Sequence, residues 1–242
     1  MRTAHSLVAF GIVALTSGPL PAQQDMQDVE IMTTHVAGGI YMLQGRGGNL
    51  GLSIGEDGAF LVDDQFAPLT EKIIAAIRAV TDQPVQFVFN THWHGDHTGG
   101  NENLGKAGAL IVAHENVRKR LNPAEFRELV GRSQQAPPDA LPVITFTDQV
   151  TFHWNGETIH AIHVPPAHTD GDALVHFVGA NVVHMGDLFF NGRYPFIDTP
   201  PGVEHGVHLP VANLPPLSET RGRGLRVQSH DPNSTILPHQ LR

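Results

Sequence analysis

Short apolar runs broken by glycine fill the chain from residue 33 to residue 63. Residues 40–43 (IYML), 49–54 (NLGLSI) and 59–62 (AFLV) are rich in aliphatic and aromatic side chains, and glycines lie between them. Runs of this length bounded by turn residues are typical of β-strands. The pattern therefore predicts three strands joined by tight turns.

The spacing of apolar positions changes after residue 67. Ile73, Ile74, Ile77 and Val80 share one helical face, which predicts a helix over residues 68–80. A buried strand is predicted at residues 85–89. The pattern also predicts helices near residues 99–106, 115–121 and 124–130, and strands near residues 109–113, 143–146, 150–154, 158–164, 173–178 and 182–185. Two β-rich halves with flanking helices suggest two sheets packed face to face.

Composition narrows the class of protein. Of the 242 residues, 40 % are hydrophobic and 16 % are charged, so the chain can bury a full core. The formal net charge is −9 and no cluster of Lys or Arg interrupts it, which argues against a nucleic-acid partner. No linker separates independent domains, so we expect one domain over residues 23–242.

The first 22 residues have the pattern of an export signal. Arg2 supplies a positive start, Leu7–Leu15 is a short apolar run, and a small-residue cleavage site ends at Ala22. The run is too short to span a bilayer, and no other segment is long and apolar enough to do so. We therefore expect a mature chain that begins near Gln23, has no transmembrane segment and is periplasmic or secreted.

The strongest chemical signal follows the strand predicted at residues 85–89. His92, His94, Asp96 and His97 bring four potential metal ligands into six residues. The chain has no cysteine, which excludes disulfides and thiolate sites, and imidazole and carboxylate are then the ligands expected for Zn²⁺. In an extended turn His92 and His94 project to the same side and share one metal, while Asp96 and His97 face a second.

The segment from Asn90 to Asn101 (NTHWHGDHTGGN) resembles the signature of the metallo-β-lactamase superfamily. Three other segments resemble further elements of that family: residues 61–63 (LVD), 166–172 (PAHTDGD) and 184–187 (HMGD). Together the matching segments cover about residues 33 to 200, in the family's order and spacing. The resemblance implies an α+β fold, the four-layer αββα sandwich, and a site for two zinc ions in each chain.

The resemblance also implies a role for each matched residue. The first zinc would be held by His92, His94 and His168, the second by Asp96 and His97, and Asp187 would lie between the two metals. Asp63 would support the ligands from behind. An alternative reading of Asp63 is that it caps the helix beginning near Pro68.

One family element is altered near the end of the chain. A last histidine, normally in a proline-glycine-histidine-glycine turn, completes the second zinc site in the family. Here the tail after about residue 202 is atypical, and the best candidate is His239, with His230, His205 or no ligand at all as alternatives. A lost imidazole leaves one coordination position to water, so we expect the second zinc to bind more weakly.

These features favour an exported zinc hydrolase that cleaves an ester, thioester, lactone or amide bond of a small molecule. Asp96 would orient the attacking water or take its proton. Two other functions stay open: a dedicated β-lactamase, and a periplasmic metal-binding or assembly factor without turnover. Substrate specificity is expected from the loops at residues 45–49 and 189–201.

Overall fold

The computed structural model describes residues 26–122, 136–190 and 197–198, and the backbone alone of residues 226–228. Several sequence predictions lie outside these residues: the signal segment, the helix near residues 124–130, most of the loop at residues 189–201, and the atypical tail except for residues 226–228, with its three candidate histidines. They stay predictions.

Seven strands form the larger sheet, in the order β1 to β7. They are β1 (Met32–Ala37), β2 (Ile40–Gln44), β3 (Leu50–Ser53), β4 (Ala59–Val62), β5 (Val85–Asn90), β6 (Leu110–His114) and β7 (Ile144–Phe146). The first four are antiparallel neighbours joined by short turns, whereas β4 to β7 run parallel. Parallel neighbours need longer crossovers, and the helical segments of the chain supply them.

Five strands form the smaller sheet, in the order β12-β11-β10-β9-β8. They are β8 (Gln149–Trp154), β9 (Glu157–His163), β10 (Ala173–Phe177), β11 (Val182–His184) and β12 (Arg226–Gln228). The strands β8 to β11 pair antiparallel, and β12 pairs parallel with β11. The ends of β9 and β11 therefore point to the same edge of the sheet.

Four α-helices are described: α1 (Thr70–Arg78), α2 (Gly95–Thr98), α3 (Asn101–Lys106) and α4 (Glu115–Leu121). Ile73 and Ile77 of α1 pack with Leu104 of α3 against the outer face of the larger sheet. The outer face of the smaller sheet carries a separate apolar cluster that includes Leu174 and Val183. None of the helices in the described ranges is long and apolar enough to cross a membrane.

The main core lies between the two sheets, where aromatic rings from both sheets meet. The ring of Phe60 on β4 lies 5.0 Å from that of Phe152 on β8 and 6.5 Å from that of Phe177 on β10, both edge to face. Phe60 and Phe177 are fully buried. Edge-to-face aromatic contacts add to the free energy of apolar burial, so this cluster is what joins the sheets.

The predicted sandwich of two sheets in an α+β fold is confirmed, and three of its four layers are built from described residues. The predicted elements that fall within the described residues recur within a few residues of their expected bounds; for example, the helix predicted at residues 115–121 is α4. Strand β1 was not predicted because its first four residues are exposed and give no alternation of apolar and polar positions.

We predict that Phe60→Ala lowers the free energy of unfolding by about 3–5 kcal/mol, because it leaves a cavity where the two sheets meet. Urea denaturation followed by circular dichroism measures the change. Phe60→Leu, which keeps most of the apolar volume, is the matched control and should lose less. A loss below about 1 kcal/mol in Phe60→Ala would show that the inter-sheet cluster does not depend on this ring.

Candidate metal centre

The end of strand β5 positions the histidine-rich motif. The strand ends at Asn90, the chain continues through an extended turn, and His94 (φ −64°, ψ 151°) is the cap residue of the one-turn helix α2. The turn is tied to the smaller sheet, because the backbone N–H of Ala173 on β10 donates to the carbonyl of Thr91 at 2.8 Å. The motif therefore lies where the edges of both sheets meet.

Three imidazole nitrogens converge at this edge. His92 Nε2 lies 3.0 Å from His94 Nδ1, and His168 Nε2 lies 2.9 Å from the same His94 atom. With a carboxylate oxygen of Asp187, these donor atoms all lie within 4.8 Å of one another. The structure thus brings together the three residues predicted for the first metal and the aspartate predicted to bridge both.

The outer nitrogens of two of the histidines contact carboxylates. His94 Nε2 lies 3.0 Å from Asp198 Oδ2, and His97 Nδ1 lies 2.8 Å from Asp63 Oδ2. When a carboxylate accepts a hydrogen bond from the N–H of one ring nitrogen, the lone pair of the other nitrogen is directed away from the carboxylate. Nδ1 of His94 and Nε2 of His97 are therefore the nitrogens left to bind a cation.

The donor set fits a borderline divalent cation such as zinc. Burial, reinforced by the neighbouring His97, holds the pKa of His92 well below its usual range, so this ring is neutral, which is the form that binds metals. Nε2 of His92 and Nε2 of His168 both lie within hydrogen-bonding distance of His94 Nδ1, which has a single lone pair. A cation among the three nitrogens satisfies all of them at once.

Asp187 lies between the first group of ligands and a second one. Its Oδ2 is 3.5 Å from His168 Nε2, and its Oδ1 is 3.3 Å from His97 Nε2. Asp96 Oδ2 lies 3.6 Å from the same His97 nitrogen. Asp96, His97 and Asp187 thus form the second predicted group, adjacent to the first.

The electrostatics of His97 also suit a cation. Burial lowers the pKa of His97, but the charge of Asp63 and hydrogen bonds to Asp187 and Asp63 outweigh it, so the pKa is well above its usual range. Carboxylates around this ring therefore stabilise a positive charge in a buried place. A divalent cation can take the place of that proton.

The loop between β9 and β10 carries His168, and Asp172 organises it. Asp172 Oδ2 accepts hydrogen bonds from the backbone N–H groups of His168 and Thr169, both at 2.8 Å. Its Oδ1 accepts from Thr169 Oγ1 at 2.5 Å. Burial raises the pKa of Asp172 to about 6 in spite of these hydrogen bonds. Helix α4 holds the same loop from outside, because Arg120 binds the carboxylate of Asp170 through Nε and Nη2.

A short 3-10 turn, Gly186–Leu188, presents Asp187 directly after β11. Gly186 has a φ of +50°, and a Cβ atom there would lie 2.6 Å from Thr91 Oγ1. Only glycine fits both this backbone conformation and this close approach. The glycine before Asp187 therefore lets the bridging residue reach the histidine-rich turn.

The two readings of Asp63 are now decided. Helix α1 begins after Leu69, and no side chain caps it. Asp63 instead accepts hydrogen bonds from the backbone N–H and the hydroxyl of Thr91, both at 2.8 Å, and contacts His97. The helix-cap alternative is wrong, and Asp63 supports the ligands from behind as the resemblance implied.

Sequence reasoning missed three residues that hold the centre together: Asp198, Asp172 and Gln65. Asp198 contacts His94 from 104 positions away in sequence. Gln65 and Asp172 bind backbone groups of the loops that carry the site, and Asp172 also accepts from the hydroxyl of Thr169. No local pattern marks contacts of this kind, although residues 189–201 were expected to line the site.

A family model described as the metallo-beta-lactamase superfamily matches residues 44–219, which include all the ligands described above. The chain belongs to the metallo-β-lactamase superfamily. The predicted family and fold are thereby confirmed.

Several curated proteins resemble parts of this chain. A hydroxyacylglutathione hydrolase from Erythrobacter litoralis is 32 % identical over 106 residues, covering 42 % of this chain and 36 % of that protein. A lactamase-like protein from Emericella nidulans is 28 % identical over 74 % of this chain and 51 % of its own. An atrochrysone carboxyl ACP thioesterase from Aspergillus chevalieri is 29 % identical over 69 % and 51 %. The chain thus spans from about a third to half of the length of these relatives.

Solved structures share the fold at low sequence identity. A metallo-β-lactamase from Cronobacter sakazakii matches with a TM-score of 0.60 and 19 % identity, over 86 % of this chain and 81 % of its own. A metallo-β-lactamase from Pontibacter korlensis matches with a TM-score of 0.55 and 20 % identity, over 68 % and 75 %. At these identities the matches establish the architecture alone.

We predict that Asp63→Asn weakens binding of the second metal more than that of the first, because a neutral amide is a weaker hydrogen-bond acceptor than a carboxylate for the N–H of His97 Nδ1. Partners of this kind typically contribute about 10–100-fold to metal affinity. Titration of the metal-free protein with Zn²⁺ in a calorimeter measures both affinities. Asp148→Asn, an exposed change away from the centre, is the control, and unchanged affinities in Asp63→Asn would contradict the role given to Asp63.

Proposed function

We propose that this chain is a zinc-dependent hydrolase that cleaves an acyl bond of a small molecule: an ester, thioester, lactone or amide. The observation that carries the proposal is the convergence of His92, His94 and His168 with Asp187 at the meeting edge of the two sheets. A neutral buried imidazole, carboxylates behind the rings and the absence of cysteine all favour zinc over softer or harder metals.

When bound, zinc would lower the pKa of a water ligand to about 7, far below that of bulk water, and would polarise the acyl oxygen of a substrate. The residues of the chain do the remaining work. Asp96 is partly exposed beside His97, so its carboxylate can orient the attacking water and take the proton that the water gives up. No serine or cysteine nucleophile is needed for hydrolysis of this kind.

We propose two zinc ions in each chain, the second weaker than the first. Three imidazoles serve the first position, whereas Asp96, His97 and the shared Asp187 serve the second. One imidazole in the second group leaves a position to water unless His239 of the tail completes it. Fewer nitrogen donors give a weaker site.

Among acyl substrates, thioesters are the first to test. Two of the relatives are named as a hydroxyacylglutathione hydrolase and an acyl-carrier-protein thioesterase. The chain has no cysteine and so lacks the ligand used by the best-known β-lactamases, whereas Asp187, positioned between the two groups of ligands, resembles the bridging residue of general hydrolases of the family. The same assay distinguishes this function from the two alternatives, a dedicated β-lactamase and a metal-binding factor without turnover.

The decisive experiment compares turnover of thioester, ester, lactone and β-lactam substrates by the zinc-loaded protein, with and without a chelator. We expect chelator-sensitive hydrolysis of at least one of the first three and a loss of about 100-fold or more in His94→Ala. Elemental analysis should show that this variant keeps less zinc than the parent. His153→Ala, on the exposed face of β8, is the matched control.

Three results would overturn the proposal in different ways. Turnover of β-lactams alone would identify a dedicated β-lactamase. Bound zinc without turnover of any substrate would identify the metal-binding factor. Full zinc retention by His94→Ala would refute the proposed metal centre itself.

We also propose that the protein is exported and begins near Gln23 after cleavage. Cleavage there leaves the described domain intact: Met26 packs on the cluster beneath α1, and Lys72 Nζ donates to the carbonyl of Val29 at 2.7 Å. Mass spectrometry of secreted or periplasmic material should give a first residue near Gln23. An intact Met1 in that material would refute the signal peptide, and replacing Leu7–Leu15 with polar residues should retain the chain in the cytoplasm.

A further inference from the structure

We infer that Gln65 is a positioning residue for the second metal: it holds the rim loop, defined as residues 45–49, against Asp96. This inference rests on the proposed two-metal function. Gln65 follows Asp63 and Asp64 after the end of β4 and is fully buried. Its importance comes from the backbone groups that it binds on two sides of the motif.

The side-chain amide of Gln65 binds the rim loop at two points. Its Oε1 accepts a hydrogen bond from the backbone N–H of Arg46 at 2.9 Å, and its Nε2 donates to the carbonyl of Gly48. These two groups flank Gly47, the residue nearest to Asp96. Both the donor and the acceptor of the carboxamide are therefore used, and the length of the Gln side chain lets it reach both partners.

The rim loop is in contact with Asp96. Gly47 has a φ of +101°, and a Cβ atom there would lie 2.9 Å from Asp96 Cβ and 3.1 Å from Asp96 Oδ2. The backbone of Gly47 thus forms the wall behind this carboxylate. At the far end of the loop, His184 Nε2 donates to the carbonyl of Asn49 at 2.9 Å, so the loop is anchored on both sides of its contact with Asp96.

Gln65 also binds the chain that follows Asp96 and His97. Its carbonyl accepts the backbone N–H of Gly100 at 3.1 Å, and a Cβ atom at Gly99 would lie 2.6 Å from that oxygen. One residue thus contacts both the wall behind Asp96 and the turn after helix α2. A substitution at Gln65 should therefore shift the rim loop relative to the turn after helix α2.

The backbone of Gln65 adopts a conformation that is costly for this residue type. Its φ is +55°, in the left-handed region that non-glycine residues rarely occupy. A strained, fully buried polar residue persists only where its surroundings hold it, and such residues cluster at functional sites. The hydrogen bonds to the rim loop and to Gly100 are what holds it here.

Loss of the Gln65 hydrogen bonds should change the metal affinities of the two positions by different amounts. Asp96 is 23 % exposed, so the rim loop is its main restraint on one side. His92, His94 and His168 are held by other contacts, at Thr91, Asp198 and Asp172. We therefore expect Gln65 to control the affinity of the second metal and to leave the first unchanged.

The test is a calorimetric titration of metal-free protein with Zn²⁺, repeated with Co²⁺ and its visible absorption as an independent readout of geometry. Gln65→Met keeps the length of the side chain and removes the amide. We expect the second equivalent to bind at least about tenfold more weakly and the first within about twofold of the parent. The Co²⁺ absorption of the second equivalent should change and that of the first should not.

Asn155→Leu is the matched control. Asn155 also has a φ of +55°, and its side chain also binds loop backbone, at Gly58 and Asp57, but far from the metal ligands. It should lose stability without changing either metal affinity. Gln65→Asn is the second variant: it tolerates the positive φ, so it folds readily, but it is one methylene too short to reach both Arg46 and Gly48 and should also weaken the second metal.

The outcomes separate this inference from the proposed function. If the parent binds two equivalents of Zn²⁺ and both affinities are unchanged in Gln65→Met and Gln65→Asn, the positioning role alone is overturned. An equal loss at both positions also overturns it, because that result indicates general damage to the fold. A parent that binds one equivalent or none overturns the two-metal function, and the positioning role with it.

Discussion

The whole centre depends on one constraint: four imidazole rings in a space from which water is largely excluded must direct their lone pairs inward. A buried imidazole has two nitrogens, and its outer nitrogen needs a partner before the inner one is available. Here Asp198, Asp63 and the Thr91 hydroxyl contact the outer nitrogens of His94, His97 and His92. These partners come within hydrogen-bonding distance of the rings because the two sheet edges meet here, with the loops and Gly186 at the junction.

The sequence was enough to predict which residues converge at the centre and most of the elements, for a physical reason. Metal ligands that share a turn must follow one another at short spacing, so His92, His94, Asp96 and His97 are visible as a motif. Core strands and helices carry apolar side chains at periods of 2 and 3.6, which made β2 to β11 and α1 predictable. Edge strand β1, half exposed and without that period, was not.

The residues that hold the ligands were not predictable in the same way. Asp172 and Gln65 bind backbone N–H and carbonyl groups, which almost every residue type possesses, so the sequence does not mark these partners. Asp198 meets His94 across 104 positions, a pairing that exists only once both sheets are assembled. Asp63 was visible only through the family resemblance, and even then a helix-cap role competed with the correct one. The last ligand, His239, stays a prediction because it lies outside the described residues.

The contact between His94 and His168 has a mechanical consequence. These rings come from different sheets and are 74 positions apart in sequence, yet their nitrogens approach to 2.9 Å. An ion held between them fastens the two halves of the sandwich, much as a disulfide would, in a chain that has no cysteine. By loop-closure arithmetic a permanent link across that many residues restricts the unfolded chain by about 4 kcal/mol. A bound metal ion would therefore also cross-link the two sheets. Removing it would lower the stability of the tertiary structure as well as abolish the chemistry.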